Sequence, residues 1–296
     1  MSSSVYSRFF SLFFLIVGIF AFQAARAEAA YNLIMFSSVT TNTGYYSDCR
    51  AVVSDASGNI FAAGQTNSDI FTIKYDNNFN FISSRTYDRG FGDDRVNSLA
   101  VDNSGNVYAA GYTANGGDQD IYIAKYNNQL SQVLATLEYD SFGNYDQAYG
   151  IALDKDGNVF IAAQSNGNFL TIKCDSNLVV ISSVTYDNGA DDSPYRLAVD
   201  NDGNVFVTGS RRVAGNANMF TIKYDNGLNY LASAEYVMAT FDGGGGIAVD
   251  ASGSVFVAGL QGEDIITVKY NNNLVVISST VKTSPTEIDS TDPPRY

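Results

Sequence analysis

The chain has 296 residues, of which 45% are hydrophobic and only 16% are charged, and its formal net charge is −14. This hydrophobic content is enough to build a sizeable core in one large domain or two ordinary ones. The negative charge would repel phosphate backbones and anionic membrane surfaces, so we expect no nucleic-acid partner.

Residues 1–27 have the pattern of a signal peptide. Arg8 gives a basic start, residues 9–22 are apolar, and residues 25–27 form a small-x-small cleavage site. The apolar run is shorter than the roughly 20 residues of a membrane helix, although an uncleaved anchor is the alternative. No cysteine lies directly after the apolar run, where a lipid anchor would be attached. We therefore expect a secreted, periplasmic or cell-surface protein that is not inserted in the membrane after cleavage.

Residues 28–50 form an N-terminal segment with a predicted strand at 31–40. The text of that strand matches residues 270–280, where the last predicted strand of the chain lies. Since it precedes the first complete repeat, it is a surplus outer strand of the kind that closes a ring of repeats. Both termini offer such a strand, so two ways of closing the ring stay open.

Five copies of one unit follow over residues 51–281. Glycine followed by Asn or Ser recurs at steps of 47, 52, 46 and 50 residues, a period that indicates a repeat architecture. The copies cover about 51–99, 100–151, 152–197, 198–247 and 248–281. Residues 282–296 are polar and carry prolines, which predicts a disordered tail.

Each copy predicts four short strands. In the first copy an apolar run ends at Asp55, and a turn of the form Asp-x-x-Gly-Asn leads to a second strand at 60–64. Glycine supplies the positive φ that such a hairpin needs. The third strand covers 70–75, and an Asn/Asp-rich turn leads to a fourth at 81–87.

Both faces of the third strand are largely apolar. One face carries Phe71, Ile73 and Tyr75. The other face carries Ile70, Thr72 and Lys74. A strand that is apolar on both faces is covered on both faces. Five such units predict an all-β fold, a β-propeller of four-stranded antiparallel blades with five blades.

Residues 99–113 read Leu-Ala-Val-Asp-Asn-Ser-Gly-Asn-Val-Tyr-Ala-Ala-Gly-Tyr-Thr; Asp93 and Asp94 precede them, and an Asp-Ile-Tyr-Ile-Ala-Lys run follows at 120–125. This text resembles the bacterial SBBP ("seven-bladed beta-propeller") repeat, and the resemblance covers residues 31 to about 281. It implies a propeller, in a family of mostly exported and surface proteins, and it says little about activity. Two features depart from the family: only five full copies are present, and the insertion after the second strand is missing. The first hairpin also resembles the NHL repeat, but the third strand does not.

An aspartate recurs ahead of each first strand, and it gives the first candidate site. Innermost strands line the channel of a propeller, so five carboxylates at one mouth of the channel would suit Ca²⁺, which prefers oxygen ligands. The alternative is that each aspartate caps its own loop backbone, which equal repetition in every copy favours. The residues are Asp48, Asp94, Asp146, Asp192 and Asp242.

The loops ahead of the first strands give the second candidate site. They differ between copies and combine carboxylates with aromatic residues, among them Phe91, Tyr145 and Tyr149. Aromatic faces beside Asp or Asn suit sugar binding, and ordinary connecting loops are the alternative.

Three further features have a structural interpretation. The Asp-x-Asp-Gly-Asn turns at 154–158 and 200–204 lack the later Glu of a calcium loop and predict tight hairpins. Once per copy a lysine ends a buried strand, which predicts that its side chain extends to solvent or pairs with a nearby Asp. Cys174 takes a position held by Tyr in the other copies and is predicted to pack; a disulfide to Cys49 is the alternative. The lysines are Lys74, Lys125, Lys173, Lys223 and Lys269.

The sequence contains no histidine, which excludes Ser-His-Asp and Cys-His catalysis and His-ligated metals. Paired carboxylates for glycoside cleavage remain possible in principle, but Glu263 is the one Glu in a suitable loop, so an acid catalyst would have to be an Asp. We therefore expect no catalytic residues and no required cofactor, in a non-catalytic binding or scaffold module for a glycan or protein ligand. The alternatives are a carbohydrate-active enzyme that uses Asp carboxylates at the channel mouth, and a purely structural surface-repeat protein.

Overall fold

The computed structural model describes residues 47–90, 92–141, 145–213, 215–237, 242–261 and 264–283. The signal peptide, the strand predicted at 31–40, Phe91, Glu263 and the tail from residue 284 lie outside the described residues. All regular secondary structure in the described ranges is β-strand, as predicted. In these ranges no helix has the length and hydropathy to cross a membrane.

Within the described residues, twenty strands form five antiparallel sheets of four strands, each in chain order, which confirms the propeller blades. Blade 1 consists of β1 (Ser47–Ser54), β2 (Ile60–Thr66), β3 (Asp69–Tyr75) and β4 (Phe81–Tyr87). Blade 2 consists of β5 (Arg95–Val101), β6 (Val107–Ala114), β7 (Gln119–Tyr126) and β8 (Val133–Tyr139). Blade 3 consists of β9 (Gln147–Leu153), β10 (Val159–Ser165), β11 (Asn168–Cys174) and β12 (Val180–Tyr186). Blade 4 consists of β13 (Ser193–Val199), β14 (Val205–Val213), β15 (Asn216–Tyr224) and β16 (Tyr230–Tyr236). Blade 5 consists of β17 (Asp242–Val249), β18 (Val255–Gln261), β19 (Asp264–Tyr270) and β20 (Val276–Lys282).

Each blade begins four to six residues before the matching sequence repeat. The first strand of a blade starts with polar residues, as in Ser47–Ser54, and the apolar run used to define the repeat begins later. The repeat boundaries at 100, 152, 198 and 248 therefore fall inside β5, β9, β13 and β17.

The hairpin between the first two strands is held by the aspartate that ends the first strand. In blade 1, Oδ1 of Asp55 accepts hydrogen bonds from the backbone N–H groups of Ser57 and Asn59, both at 2.9 Å, and Gly58 has a φ of 80°. Asp154 and Asp200 make the same contacts in blades 3 and 4, in agreement with the predicted tight hairpins.

The core lies between neighbouring blades. Phe160 and Phe169 of blade 3, for example, share one buried cluster with Val207 and Ile222 of blade 4. Four such clusters join the five blades in chain order. Cys174 is buried in one of them, and both described cysteines are free. The third strands are therefore covered on both faces in the inner blades, as their sequence predicts.

The two end blades each keep one apolar face uncovered by the described residues. Ile265 of blade 5 is 57% exposed, and Val52 of blade 1 is 48% exposed. The residues at the position of Ile265 in the other blades are at most 1% exposed; they are Ile70, Ile121, Phe169 and Met219. The described blades thus form an arc, and β20 pairs with β19 of its own blade, so no strand is exchanged between the described end blades.

Candidate functional site

Three of the five recurrent aspartates lie at loops and are fully buried. Asp94 accepts the backbone N–H of Arg89 on Oδ2 at 2.7 Å and that of Ala114 on Oδ1 at 2.9 Å. Burial raises the pKa of the Asp94 carboxyl, against the pull of these two hydrogen bonds. Each of these carboxylates therefore stabilises the loop that leads into its blade.

Asp146 and Asp192 follow the same arrangement. Oδ2 of Asp146 accepts the backbone N–H of Ser141 at 2.6 Å, and Oδ1 of Asp192 accepts that of Arg212 at 2.8 Å. Asp48 differs, because it forms an ion pair with Arg50 at 2.9 Å. The side chain of Asp242 lies outside the described residues. The structure thus places Asp94, Asp146 and Asp192 on separate loops and does not bring them together around one ion.

The innermost strand of every blade contains a β-bulge at the same position. One residue of β1, β5, β9, β13 and β17 has no partner in the register with the second strand. Bulges turn a side chain away from the regular pleat and are frequent beside functional sites. We call these five residues the bulge ring: Arg50, Asn97, Tyr149, Tyr195 and Gly245.

Two tyrosines of the bulge ring contact each other across blades 3 and 4. The rings of Tyr149 and Tyr195 lie edge to face, with centroids 6.2 Å apart. The Tyr149 hydroxyl donates to Oε1 of Gln147 at 2.8 Å. Burial raises the pKa of Tyr149, and the negative charge that Tyr195 would carry on ionisation raises it further. Tyr149 is thus a neutral, oriented aromatic side chain at neutral pH.

Arg196 follows the bulge in β13 and brings a positive charge beside these tyrosines. Its guanidinium donates to the backbone oxygens of Tyr149 and Tyr195 at 2.6 and 2.8 Å. Burial, and then the charge of Arg50, hold the pKa of Arg196 below its usual value. In the described ranges no carboxylate oxygen lies within 4.0 Å of this guanidinium.

Arg50 and Arg196 line one cavity of about 270 Å³ between blades 1, 2 and 4. Asn97 also lines it and donates its side-chain N–H to the backbone oxygen of Ala148 at 2.9 Å. Among the described residues, the lining therefore includes two arginines and no carboxylate, and Asp48 pairs with Arg50 beside it, in a chain whose formal net charge is −14. Such a site attracts anionic groups.

Among the sequence-predicted loop residues, Tyr149 belongs to the bulge ring and Tyr145 is exposed, with its backbone bridged to Gln119. The sequence reasoning missed Arg50, Tyr195 and Arg196. A signal was present in the aligned copies, because the bulge position holds Arg, Asn, Tyr, Tyr and Gly, whereas the position two residues later is a large aliphatic residue in every copy.

Two segments, residues 140–169 and 185–210, match the family model SBBP, described as a beta-propeller repeat. These two segments are similar to SBBP repeats. The matches fall on blades 3 and 4, and the five sheets agree with five copies of the repeat. No curated protein sequence matches the chain.

Solved structures agree with this fold. A protein from Lactobacillus plantarum is 13% identical with a TM-score of 0.58, and the match covers 79% of this chain and 70% of that one. The Dos1 propeller is 9% identical with a TM-score of 0.55, and the match covers 80% of this chain and 61% of that one, less than two thirds of its length. At these identities the similarity supports the propeller fold alone, and it carries nothing on ligands.

Proposed function

We propose that this SBBP-repeat chain is an exported, non-catalytic binding module whose ligand is an acidic glycan held at the bulge ring. The observation that carries the proposal is the position of Arg196, which lies beside two tyrosines and the cavity and has no carboxylate partner in the described part of the chain. Export rests on the signal-peptide pattern of residues 1–27.

The chemistry of the site suits a sugar acid. A guanidinium presents planar N–H donors that match a carboxylate, and its charge does not depend on pH in the physiological range. Arg50 and Arg196 supply two such groups around one cavity. The edges and faces of Tyr149 and Tyr195 supply the apolar surface on which a pyranose ring packs.

The departure from symmetry supports binding at this site. The bulge backbone is repeated in all five blades, but its side chains differ from blade to blade. A purely structural position in a repeat protein needs no such variety, whereas a ligand site needs different groups around one opening.

The chemistry of the buried aspartates supports a non-catalytic role. The sequence has no histidine, and the buried carboxylates of Asp94, Asp146 and Asp192 are engaged by their loops. Cleavage of a glycosidic bond needs two carboxyl groups that flank the bond, and these three aspartates are not accessible to it.

The proposal is tested with the full chain, freed of its leader, by calorimetric titration with polygalacturonate and with uncharged dextran. We expect binding of polygalacturonate alone, weakened by added salt, and weakened at least tenfold by Arg196→Gln or Tyr149→Ala. The matched controls are Arg212→Gln and Tyr230→Ala, exposed residues away from the bulge ring, which should bind like the parent. The proposal would be refuted, and a structural role favoured, if neither polymer binds. An equal loss of affinity in the control variants would also refute it.

A further inference from the structure

Three carboxylates converge at one edge of blade 2, away from the bulge ring. Asp118 lies in the hairpin between β6 and β7, Asp120 is on β7, and Asp140 directly follows β8. One carboxylate oxygen from each lies within 4.8 Å of the other two. Three acidic groups at this distance repel one another unless a cation lies between them.

The central member of this cluster has an unsatisfied oxygen. Asp120 is 2% exposed, and its Oδ2 accepts a hydrogen bond from Arg89 at 2.7 Å. Its Oδ1 is buried and has no hydrogen-bond partner among the described residues. Buried polar atoms are almost always paired, and an unpaired carboxylate oxygen is especially unfavourable. A bound cation would satisfy this atom.

Arg89 is the cation next to Asp120. It pairs with Oδ2 of Asp120 at 2.7 Å and also lies 3.4 Å from the carboxylate of Glu138, so one guanidinium serves two carboxylates. Asp118 and Asp140 bring two further carboxylates to the same edge of the blade.

The cluster is a departure from the repeat. The position of Asp120 holds Asp or Asn in every blade, and blade 1 has a similar pair in Asp69 and Asp88. Asp118 has no counterpart, because it lies in a hairpin of blade 2 that is longer than that of blade 1 and turns through Gly116 and Gly117 at φ values of 66° and 127°. Blade 1 thus provides a natural comparison that lacks the third carboxylate.

We infer that Asp118, Asp120 and Asp140 bind a Ca²⁺ ion. The donors are all oxygens, which hard cations prefer, and two oxygens on one Ca²⁺ are at most about 5 Å apart, in agreement with the observed cluster. Mg²⁺ demands near-octahedral geometry at 2.0–2.1 Å and usually keeps several waters with only one or two carboxylates, so it suits a cluster of three carboxylates less well. Asp140 is exposed and Asp118 half-buried, so water can complete the coordination. This inference does not depend on the proposed glycan site.

The test is calorimetric titration of CaCl₂ into the chelator-treated full chain, freed of its leader. We expect one Ca²⁺ per chain, a weaker affinity for Mg²⁺, and a melting temperature that rises with Ca²⁺. Asp118→Asn keeps the acceptor for the backbone N–H of Gln119 but should weaken Ca²⁺ binding at least tenfold and abolish the thermal shift.

Two matched control variants each remove one carboxylate that lies outside the cluster. Asp156→Asn changes an exposed aspartate in blade 3, and Asp88→Asn removes the counterpart of Asp140 in blade 1. Both should bind Ca²⁺ like the parent. No saturable binding at millimolar Ca²⁺, tighter binding of Mg²⁺ than of Ca²⁺, or an equal loss in Asp156→Asn and Asp118→Asn would overturn the inference. Melting curves without Ca²⁺ verify that each variant is folded.

Discussion

The Lys74 ammonium of blade 1 donates a hydrogen bond to the side-chain oxygen of Asn128 in blade 2. The amide nitrogen of Asn128 donates in turn to Oδ2 of Asp55, at the hairpin of blade 1, at 3.0 Å. Lys74 also lies over the ring of Phe61, 5.3 Å from its centroid. The recurrent lysine therefore links its blade to the next one by a hydrogen bond to an Asn, and that Asn in turn donates to an Asp of the lysine's own blade.

The same link occurs at two other interfaces and is replaced at one. Lys173, Asn226 and Asp154 join blades 3 and 4, and Lys223, Asn272 and Asp200 join blades 4 and 5. Between blades 2 and 3 the Asn position holds Ser176. There Lys125 and the hydroxyl of Tyr108 both donate to the backbone oxygen of Ser176, and Lys125 is 3.7 Å from Asp102, an ion pair of the predicted kind.

Replacement of the linking Asn should destabilise the protein. Asn226→Ala removes one acceptor of Lys173 and one donor to Asp154, which should lower the free energy of unfolding in urea by about 1–3 kcal/mol. Asn77→Ala is the matched control, because Asn77 holds the same position in blade 1, where the described residues include no preceding blade, and it should cost less than about 0.5 kcal/mol. Equal effects of the two changes would contradict the role of the link.

The leucine found in four of the five turns between the third and fourth strands should stabilise the protein through its burial. Leu228 has a φ of 65° and is buried against blade 3. Leu228→Ala should cost about 2–5 kcal/mol of unfolding free energy. Leu228→Gly should lower the free energy of unfolding by about 1 kcal/mol less than Leu228→Ala does, because glycine adopts a positive φ without strain.

Phe79 is the control for this prediction. It has the same backbone conformation in blade 1, with a φ of 63°, but only partial burial. Phe79→Ala should therefore cost clearly less than Leu228→Ala in the same urea titration. If the two costs are equal, inter-blade burial is not what stabilises the turn.

The linking aspartates should make stability depend on pH in the acid range. Burial by itself would raise the pKa of Asp154, but hydrogen bonds from Asn158 and Asn226 hold it below its usual value. A lowered pKa in the folded state contributes stability above the unfolded-state pKa of about 4, and this contribution is lost as the pH falls through the folded-state pKa.

We therefore expect the parent to be more stable than Asp154→Asn at pH 7, with a difference that shrinks below about pH 4. The difference must be measured between variants, because burial raises the pKa values of Asp94 and Asp192, and these groups favour the folded state at low pH. Asp156→Asn should differ little from the parent throughout. A parent–variant difference that stays constant from pH 7 to pH 3 would contradict this prediction.

The two thiols should differ in reactivity. Burial raises the pKa of Cys174 to about 12, and burial also raises the pKa of Cys49, which is only partly buried. Because the thiolate is the reactive form, a disulfide reagent at pH 8 should modify Cys49 slowly and Cys174 only after unfolding. In Cys49→Ser no thiol should react before urea is added; rapid reaction of that variant would show that Cys174 is accessible.

Much of the fold was predictable because the same pattern of strands and turns occurs in five copies along the sequence. The strand order, the hairpin at Asp55 and the packing of Cys174 follow from local turn chemistry and from strands that are apolar on both faces. The candidate site was predictable only in part. Tyr149 was among the predicted residues, but Arg50 and Arg196 come from other blades, and their proximity depends on how the innermost strands meet around the channel.

The sequence by itself determined the five four-stranded units, their turns and the apolar faces that must be covered, since these depend on residues close together in the chain. Only the tertiary structure decided what the recurrent polar residues contact. It placed Asp94, Asp146 and Asp192 on their own loops, set Asn128 against Lys74, and left Ile265 and Val52 on uncovered faces of the end blades. The physical reason is that Lys74 and Asn128 are 54 residues apart in the chain, and that the distance between aspartates of different blades and the exposure of the end blades depend on how the blades pack. The spacing of residues within one repeat does not encode that packing.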